Sequence, residues 1–209
     1  MSNDKNLFVT GIGTGVGKTV VSAVLTQYFQ AAYWKPVQAG DLDRSDSMVV
    51  RSLTDRHLKV FPERYRLKMP ASPHQAAAAE QLSIQLTDFA LPESPDPLIV
   101  EGAGGLFAPL NNHHFMIDLI AQLQLPAVLV SRDYLGCINH TMLSLRALQQ
   151  YDIPIPYLVL NGTFNPATME ILMLQLPAET QVIRLPELKS ADKDGIDNAI
   201  ALLKTHFKK

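Results

Sequence analysis

The densest chemical signal lies near the start of the chain, in Leu7-Phe8-Val9-Thr10-Gly11-Ile12-Gly13-Thr14-Gly15-Val16-Gly17-Lys18-Thr19. The apolar, β-prone run Leu7 to Val9 leads into a glycine-rich loop, and the loop opens onto a segment, Val20 to Gln30, that reads as helix. Glycines let backbone N–H groups crowd around an anion without Cβ clashes, and a helix N-terminus adds unpaired donors and a partial positive charge. A lysine in this position reaches the β- and γ-phosphates of a nucleotide, and the hydroxyl after it coordinates Mg²⁺. Lys18 and Thr19 are the residues expected to do so, and nucleotide binding is the expected outcome. The flanking pattern argues against the plainer alternative, a glycine turn beside a surface lysine. One spacing departs from the common motif: glycine falls at position 11, not at Ile12, so the loop reads Gly-x5-Gly-Lys-Thr.

Other polar residues stand where apolar runs end. In a parallel sheet flanked by helices, ligands collect at the C-terminal ends of the strands. The candidates there are Lys35, Glu101 with its glycines, Arg132-Asp133 and Asn161-Gly162. Lys35 is either an exposed strand-end lysine or a second cation converging on the phosphates, where it would stabilise charge on a transferring phosphoryl group. Glu101 follows Leu98-Ile99-Val100 in the place of a Walker-B acid that holds Mg²⁺ directly or through water. A buried carboxylate there would be costly without a partner. Asp46 is either a further Mg²⁺ ligand or a helix N-cap.

The elements that must position these groups alternate between strand and helix. Expected strands are Leu7 to Val9, a short one in Ala32 to Val37 that stops at Lys35-Pro36, one near Tyr65, Leu98 to Val100, Pro126 to Ser131, Ile155 to Gly162 and Gln181 to Arg184. Expected helices follow the loop and run over Ser47–Leu53, His74–Leu82, Phe115–Gln124, Cys137–Gln150, Ala167–Gln175 and Ile196–Phe207. Ile84 to Phe89 either continues the third helix or forms a short one of its own. Without hairpin signals, this order predicts an α/β fold: a single domain over 1–209, with a mostly parallel sheet and helices on both faces.

Composition narrows the partners. Of 209 residues 47% are hydrophobic and 18% charged, a globular balance with enough chain for a full core. A net charge of −2 argues against a nucleic-acid partner held by a general basic footprint. The single cysteine, Cys137, excludes a disulfide framework and fits a reducing cytosol. Met1-Ser2-Asn3-Asp4-Lys5 lacks a signal-type apolar core, and no apolar run reaches the ~18 residues of a membrane span. A soluble, cytoplasmic protein without membrane partners is expected.

Taken together, the motifs resemble the dethiobiotin synthetase family, within the P-loop NTPases. The resemblance is carried by the Gly-x5-Gly-Lys-Thr loop, Lys35-Pro36-Val37-Gln38, Ser72-Pro73-His74, Val100-Glu101-Gly102-Ala103-Gly104-Gly105, Leu135-Gly136-Cys137-Ile138-Asn139-His140 and Asn161. It implies an ATP- and Mg²⁺-dependent ring closure of 7,8-diaminononanoate with CO₂ in biotin biosynthesis, with Lys18 and Lys35 flanking the carbamate and γ-phosphate. It further implies that Gly15, Val16, Gly17, Lys18, Thr19 and Val20 wrap the phosphates, with Gly102, Ala103 and Gly104 beside them. Thr19, Asp46 and Glu101 would serve the metal. Asn161, Gly162, Pro186, Glu187 and Leu188 would form the base pocket. Thr14, Lys35, Ala39, Gly136, Cys137, Ile138 and Asn139 would meet the substrate, the last four by holding its remote carboxylate across the interface of a homodimer.

The chain departs from the family in three places, one of them the short segment Ala31 to Trp34 between the loop's helix and Lys35, which is expected to trim the start of the second strand. Ala39 stands where Ser or Thr is usual, and Ile12-Gly13 replaces the commoner Thr-Asp. The rival within the same fold is a partition or septum-site ATPase switch, whose signature lysine five residues before the motif lysine is here Gly13. Such switches often end in a membrane-binding helix, whereas the tail from Ile196 also reads as a terminal helix packed on the sheet. Amidotransferase synthetases of this fold need a glutaminase domain for which 209 residues leave no room.

Overall fold

A computed structural model describes residues 6–188 and 192–206. Its strands are β1 (Leu7–Gly11), β2 (Ala32–Trp34), β3 (Val37–Ala39), β4 (Val60–Phe61), β5 (Tyr65–Leu67), β6 (Leu98–Glu101), β7 (Ala127–Ser131), β8 (Tyr157–Asn161) and β9 (Gln181–Leu185). Its helices are α1 (Lys18–Phe29), α2 (Asp46–Leu53), α3 (Pro73–Ala79), α4 (Met116–Leu123), α5 (Cys137–Gln150), α6 (Pro166–Leu174) and α7 (Lys193–His206). Seven strands form one sheet in the order β4-β2-β6-β1-β7-β8-β9, and every neighbouring pair in it is parallel. β3 and β5 make a separate parallel pair.

The topology explains where a site can open. β1 sits beside β6 on one side, Val9 against Glu101, and beside β7 on the other, Gly11 against Val130. From β1 the chain leaves towards β2, and later it steps through β7, β8 and β9 in the opposite direction. Right-handed crossovers running both ways put helices on both faces. Accordingly α1 packs with α2 and α7, while α5 packs against β7 and α6. The reversal falls at β1 and β6, so their C-terminal ends part into the crevice where open α/β sheets bind ligands. β1, β6 and β7 are buried along their whole length, as continuous apolar runs require when both faces are covered.

Several elements differ from their sequence expectation. The strand expected from Ala32 stops before Lys35-Pro36 as the sequence suggested, and Val37 starts a further strand in a second sheet. Pro36 has no N–H to continue a ladder, and its carbonyl instead accepts from Arg64 N and Tyr65 N. β4, only two residues long, had no expectation. α1 starts two residues earlier than expected, because Gly17 adopts a left-handed φ of 90° at the N-cap and lets Lys18 enter the helix directly. α2 is capped by the Ser45 hydroxyl, so Asp46 lies inside the helix and the N-cap alternative for it falls away. α3 stops at Ala79, where Gln81 turns to a φ of 57°. Within Ile84 to Phe89, Leu86–Asp88 forms a short 3-10 helix of its own and does not continue α3. α7 starts before Ile196, its expected end at Phe207 lies outside the described residues, and it buries Ile196, Ala199, Ile200 and Leu203 as a packed terminal helix does.

Candidate active site

The phosphate loop is built by close packing. A Cβ on Gly17 would lie 2.1 Å from Asn161 Nδ2, and one on Gly11 would lie 2.6 Å from Val16 Cγ2, so neither position admits a side chain without displacing its neighbour. Asn161, at the end of β8, donates its amide to Val16 O at 2.9 Å and braces the loop from below. Gly15 also has a positive φ, 75°, but faces open space. No side chain caps the N-terminus of α1, which leaves its first N–H groups to an anion. Lys18 is buried and donates to Gly13 O at 2.9 Å.

Beside the loop, α1, α2, β6 and the residue that follows β2 bring four groups to one point. Thr19 Oγ1 lies 2.9 Å from both Asp46 Oδ1 and Glu101 Oε1. Lys35 Nζ is 2.6 Å from Asp46 Oδ2, 3.1 Å from Glu101 Oε1 and 2.9 Å from Gly102 O. Only 3% of Lys35 is exposed, which excludes the exposed strand-end alternative. Two residues without an expected role complete the arrangement. The Tyr33 hydroxyl donates to Glu101 Oε2 at 2.9 Å, and Gln38 Oε1 accepts from Asp46 N at 3.1 Å while its amide donates to Gly40 O. Gln38 lay within the quoted Lys35-Pro36-Val37-Gln38 motif; Tyr33 lay inside an apolar strand, where an aromatic residue reads as core.

Charge follows this geometry. Burial lowers the pKa of Lys18 to about 8, with the positive charge of Lys35 adding to the shift. Burial also works against the Lys35 ammonium, but Glu101 and Asp46 outweigh it and hold its pKa above the ordinary lysine value. Burial pushes the Asp46 carboxyl upward, yet Lys35 and the Thr19 hydroxyl bring it below its usual range. The site is thus poised with one firmly held ammonium and one that a polyanion would stabilise.

A cleft of about 840 Å³ opens on these groups. Gly13, Thr14, Gly15, Gly17, Lys18 and Thr19 line one side, and Lys35, Gln38, Ala39, Asp46, Glu101, Ala103 and Gly104 line others. The donor set at Thr19, Asp46 and Glu101 is all oxygen, which suits a hard cation such as Mg²⁺ that keeps waters and shares phosphate ligands. No larger group of His, Cys, Asp or Glu side chains that could hold a metal occurs among the described residues. Val20 sits half-buried on α1 behind the loop.

The remaining candidates gather nearby but outside that cleft. Gly162 follows β8 with a φ of 96°, and Pro186, Glu187 and Leu188 follow β9 at the same edge of the sheet. Glu187 pairs with Arg132. The N-terminus of α5 forms a third region. Gly136 occupies the N-cap with a φ of 106° and no side-chain cap, Ile138 is half-buried and Asn139 is exposed. Cys137 is buried, its thiol pKa is raised by that burial, and its N–H donates to Tyr134 O.

Comparison with known proteins agrees with this geometry. Residues 5–193 match a family model described as an AAA domain. The ATP-dependent dethiobiotin synthetase BioD of Christiangramia forsetii is 46% identical over 78% of this chain and 79% of its own. The enzyme of the same name from Paramagnetospirillum magneticum is 43% identical, covering 80% and 82%, and that of Rhodopseudomonas palustris is 41% identical, covering 93% and 92%. Among solved structures, the cell division ATPase MinD of Pyrococcus furiosus is 12% identical over 97% of this chain and 99% of that one, with a TM-score of 0.49, a likeness too loose to bear on function. At 40–46% identity across most of its length, the chain belongs to the ATP-dependent dethiobiotin synthetase family.

Proposed function

We propose that the protein closes the ureido ring of dethiobiotin from 7,8-diaminononanoate, CO₂ and ATP, as a cytoplasmic enzyme of biotin biosynthesis formed by one domain over residues 1–209. The observation that carries this reading is the convergence of Lys18 and Lys35 on one cleft between a phosphate loop and a paired carboxylate site. The second lysine of a hydrolytic switch would stand at position 13, which is Gly13 here; a second lysine at Lys35 instead suits a reaction that builds and then transfers charge between a carbamate and a phosphate.

In this reading one amine of the substrate adds to CO₂ and loses a proton, giving a carbamate. A carbamate oxygen attacks the γ-phosphorus of ATP, ADP leaves, and a carbamic–phosphoric anhydride forms. The second amine attacks the anhydride carbonyl, the ring closes and phosphate departs. Lys18 neutralises the γ-phosphate, and Lys35 bridges it to the carbamate. The loop from Gly15 to Val20 positions the phosphates, with Gly102 to Gly104 opposite, so the gain comes from orientation and charge stabilisation. Mg²⁺ held near Thr19, Asp46 and Glu101 would neutralise charge on the β- and γ-phosphates.

Asn161, Gly162 and Pro186 to Leu188 receive the adenine. Thr14 and Ala39 flank the diamine. The α5 N-terminus, from Gly136 to Asn139, takes the remote carboxylate of a substrate bound to the partner of a homodimer, which suits its position away from the cleft. Among the described residues no helix is long and apolar enough to cross a membrane. The test is a mass-spectrometric assay with ATP, Mg²⁺, bicarbonate and the diamine. Dethiobiotin formed in step with ADP supports the proposal, and ATP hydrolysis indifferent to the diamine overturns it.

A further inference from the structure

Tyr33 has the most confined side chain at the site. It is fully buried on β2, beside Ile99 of β6, and the described polar partner of its hydroxyl is Glu101 Oε2, 2.9 Å away. Glu101 is itself 1% exposed. Its two oxygens therefore have different neighbours: Oε1 faces Thr19 and Lys35, while Oε2 faces the phenol. A carboxylate left with one oxygen unpaired in such a place would turn to recover a partner, and the nearest alternatives are the groups now engaged by Oε1. The phenol removes that incentive.

We infer that Tyr33 is a positioning residue that fixes the rotation of the Glu101 carboxylate, so that Oε1 is presented to Thr19, Lys35 and the metal–nucleotide complex. The inference rests on the reading of Glu101 as the metal-facing acid. Outer groups that orient a metal-facing carboxylate typically govern about 10- to 100-fold in metal affinity or activity. Burial keeps the phenol protonated, with the Glu101 charge adding to that effect, so the O–H is available as a donor across the working pH range.

The experiment is a double-mutant cycle on the full chain, Tyr33→Phe and Glu101→Gln, read by kcat, by the Michaelis constant for the diamine and by Mn²⁺ binding to the protein–ADP complex in electron paramagnetic resonance. Tyr33→Phe is expected to lower kcat and weaken Mn²⁺ binding by about 10-fold or more, with the diamine constant within about twofold. In the Glu101→Gln background the same change should cost less than about twofold, because its effect runs through the carboxylate. Equal losses in both backgrounds would make Tyr33 a packing residue and overturn the inference, as would unchanged kcat and Mn²⁺ binding. If Tyr33→Phe is not recovered folded, Tyr33→Met, which also lacks a donor, is put through the same cycle and judged by the same two outcomes. Mn²⁺ binding needs no turnover, so it separates failure of this inference from failure of the proposed reaction, which the wild-type product assay reads alone.

Discussion

Lys35 Nζ stands 2.6 Å from Asp46 Oδ2, joining β2 to the first turn of α2 through a contact that also touches Glu101. The ammonium is a structural member of the site as well as part of the cleft's lining. Removing one partner of a buried ion pair typically costs about 3–5 kcal/mol, because the remaining charges are left uncompensated. Lys35→Ala is therefore expected to remove turnover and also to lower the melting temperature of the ligand-free protein by about 10 °C, since about 1 kcal/mol moves a chain of this size by roughly 2–4 °C. Thermal denaturation beside the product assay checks both. Turnover near the wild-type rate would remove Lys35 from the proposed chemistry, and an unchanged melting curve would show that Asp46 and Glu101 rearrange freely.

The two lysines differ in how firmly they hold their protons. Lys18, near 8, loses its charge as the pH rises through that value in the ligand-free protein, whereas bound phosphates would keep it protonated. Nucleotide affinity should consequently fall above about pH 8, by up to about tenfold per pH unit, and binding there should take up a proton. The same shift means that this group favours the fold more, not less, as pH rises from about 8 towards the ordinary value of 10.5. Calorimetry with a non-hydrolysable ATP analogue in two buffers of different ionisation enthalpy measures the proton directly. A binding curve flat across pH 7 to 9 would show that Lys18 stays charged throughout.

How far the sequence reached follows from the range of each interaction. The central strands were legible because Leu98-Ile99-Val100 and Ala127-Val128-Leu129-Val130 are apolar runs too short for helices and flanked by Pro97 and Gly102 or by Pro126, as strands buried on both faces are. Between Thr54 and Pro73 the sequence showed only part of the structure: the strand expected near Tyr65 is β5, Tyr65–Leu67, but β4, with two residues, was not legible, and neither was the pairing of β5 with β3, which Lys35-Pro36 separates from β2. Lys35 was ambiguous for the same reason: burial depends on how Asp46 and Glu101 approach it. Tyr33 was invisible as a polar residue because its partner is 68 positions away.

Asn161 separates two uses of one side chain. Its amide is engaged with Val16 O, and a Cβ on Gly17 would meet it, so it supports the loop whatever it does for the base. Asn161→Ala should weaken ATP binding by about 5- to 10-fold, the worth of one buried hydrogen bond of about 1–1.5 kcal/mol. Inorganic tripolyphosphate, which has no base, should weaken by a similar factor when its binding is measured by calorimetry. A loss confined to ATP would assign Asn161 to the adenine alone.

The α5 N-terminus makes the most demanding prediction, because it lies outside the cleft that holds Lys18 and Lys35. Gly136 supplies no side-chain cap, and Cys137 N–H is spent on Tyr134 O, so a carboxylate arriving there would rely on later N–H groups and on the Asn139 amide. Hydrogen bonds to a charged group are worth about 1.5–3 kcal/mol. Asn139→Ala should raise the Michaelis constant for the diamine by about 10-fold or more while leaving that for ATP within about twofold. If this helix serves the neighbouring protomer, mixing Asn139→Ala with Lys35→Ala subunits should give, at diamine concentrations below the Michaelis constant, more activity than the mean of the two parents, since each mixed dimer then carries one site with both groups intact. Steady-state assays across a range of mixing ratios read this directly. Activity that only averages the two parents would place the carboxylate within a single chain.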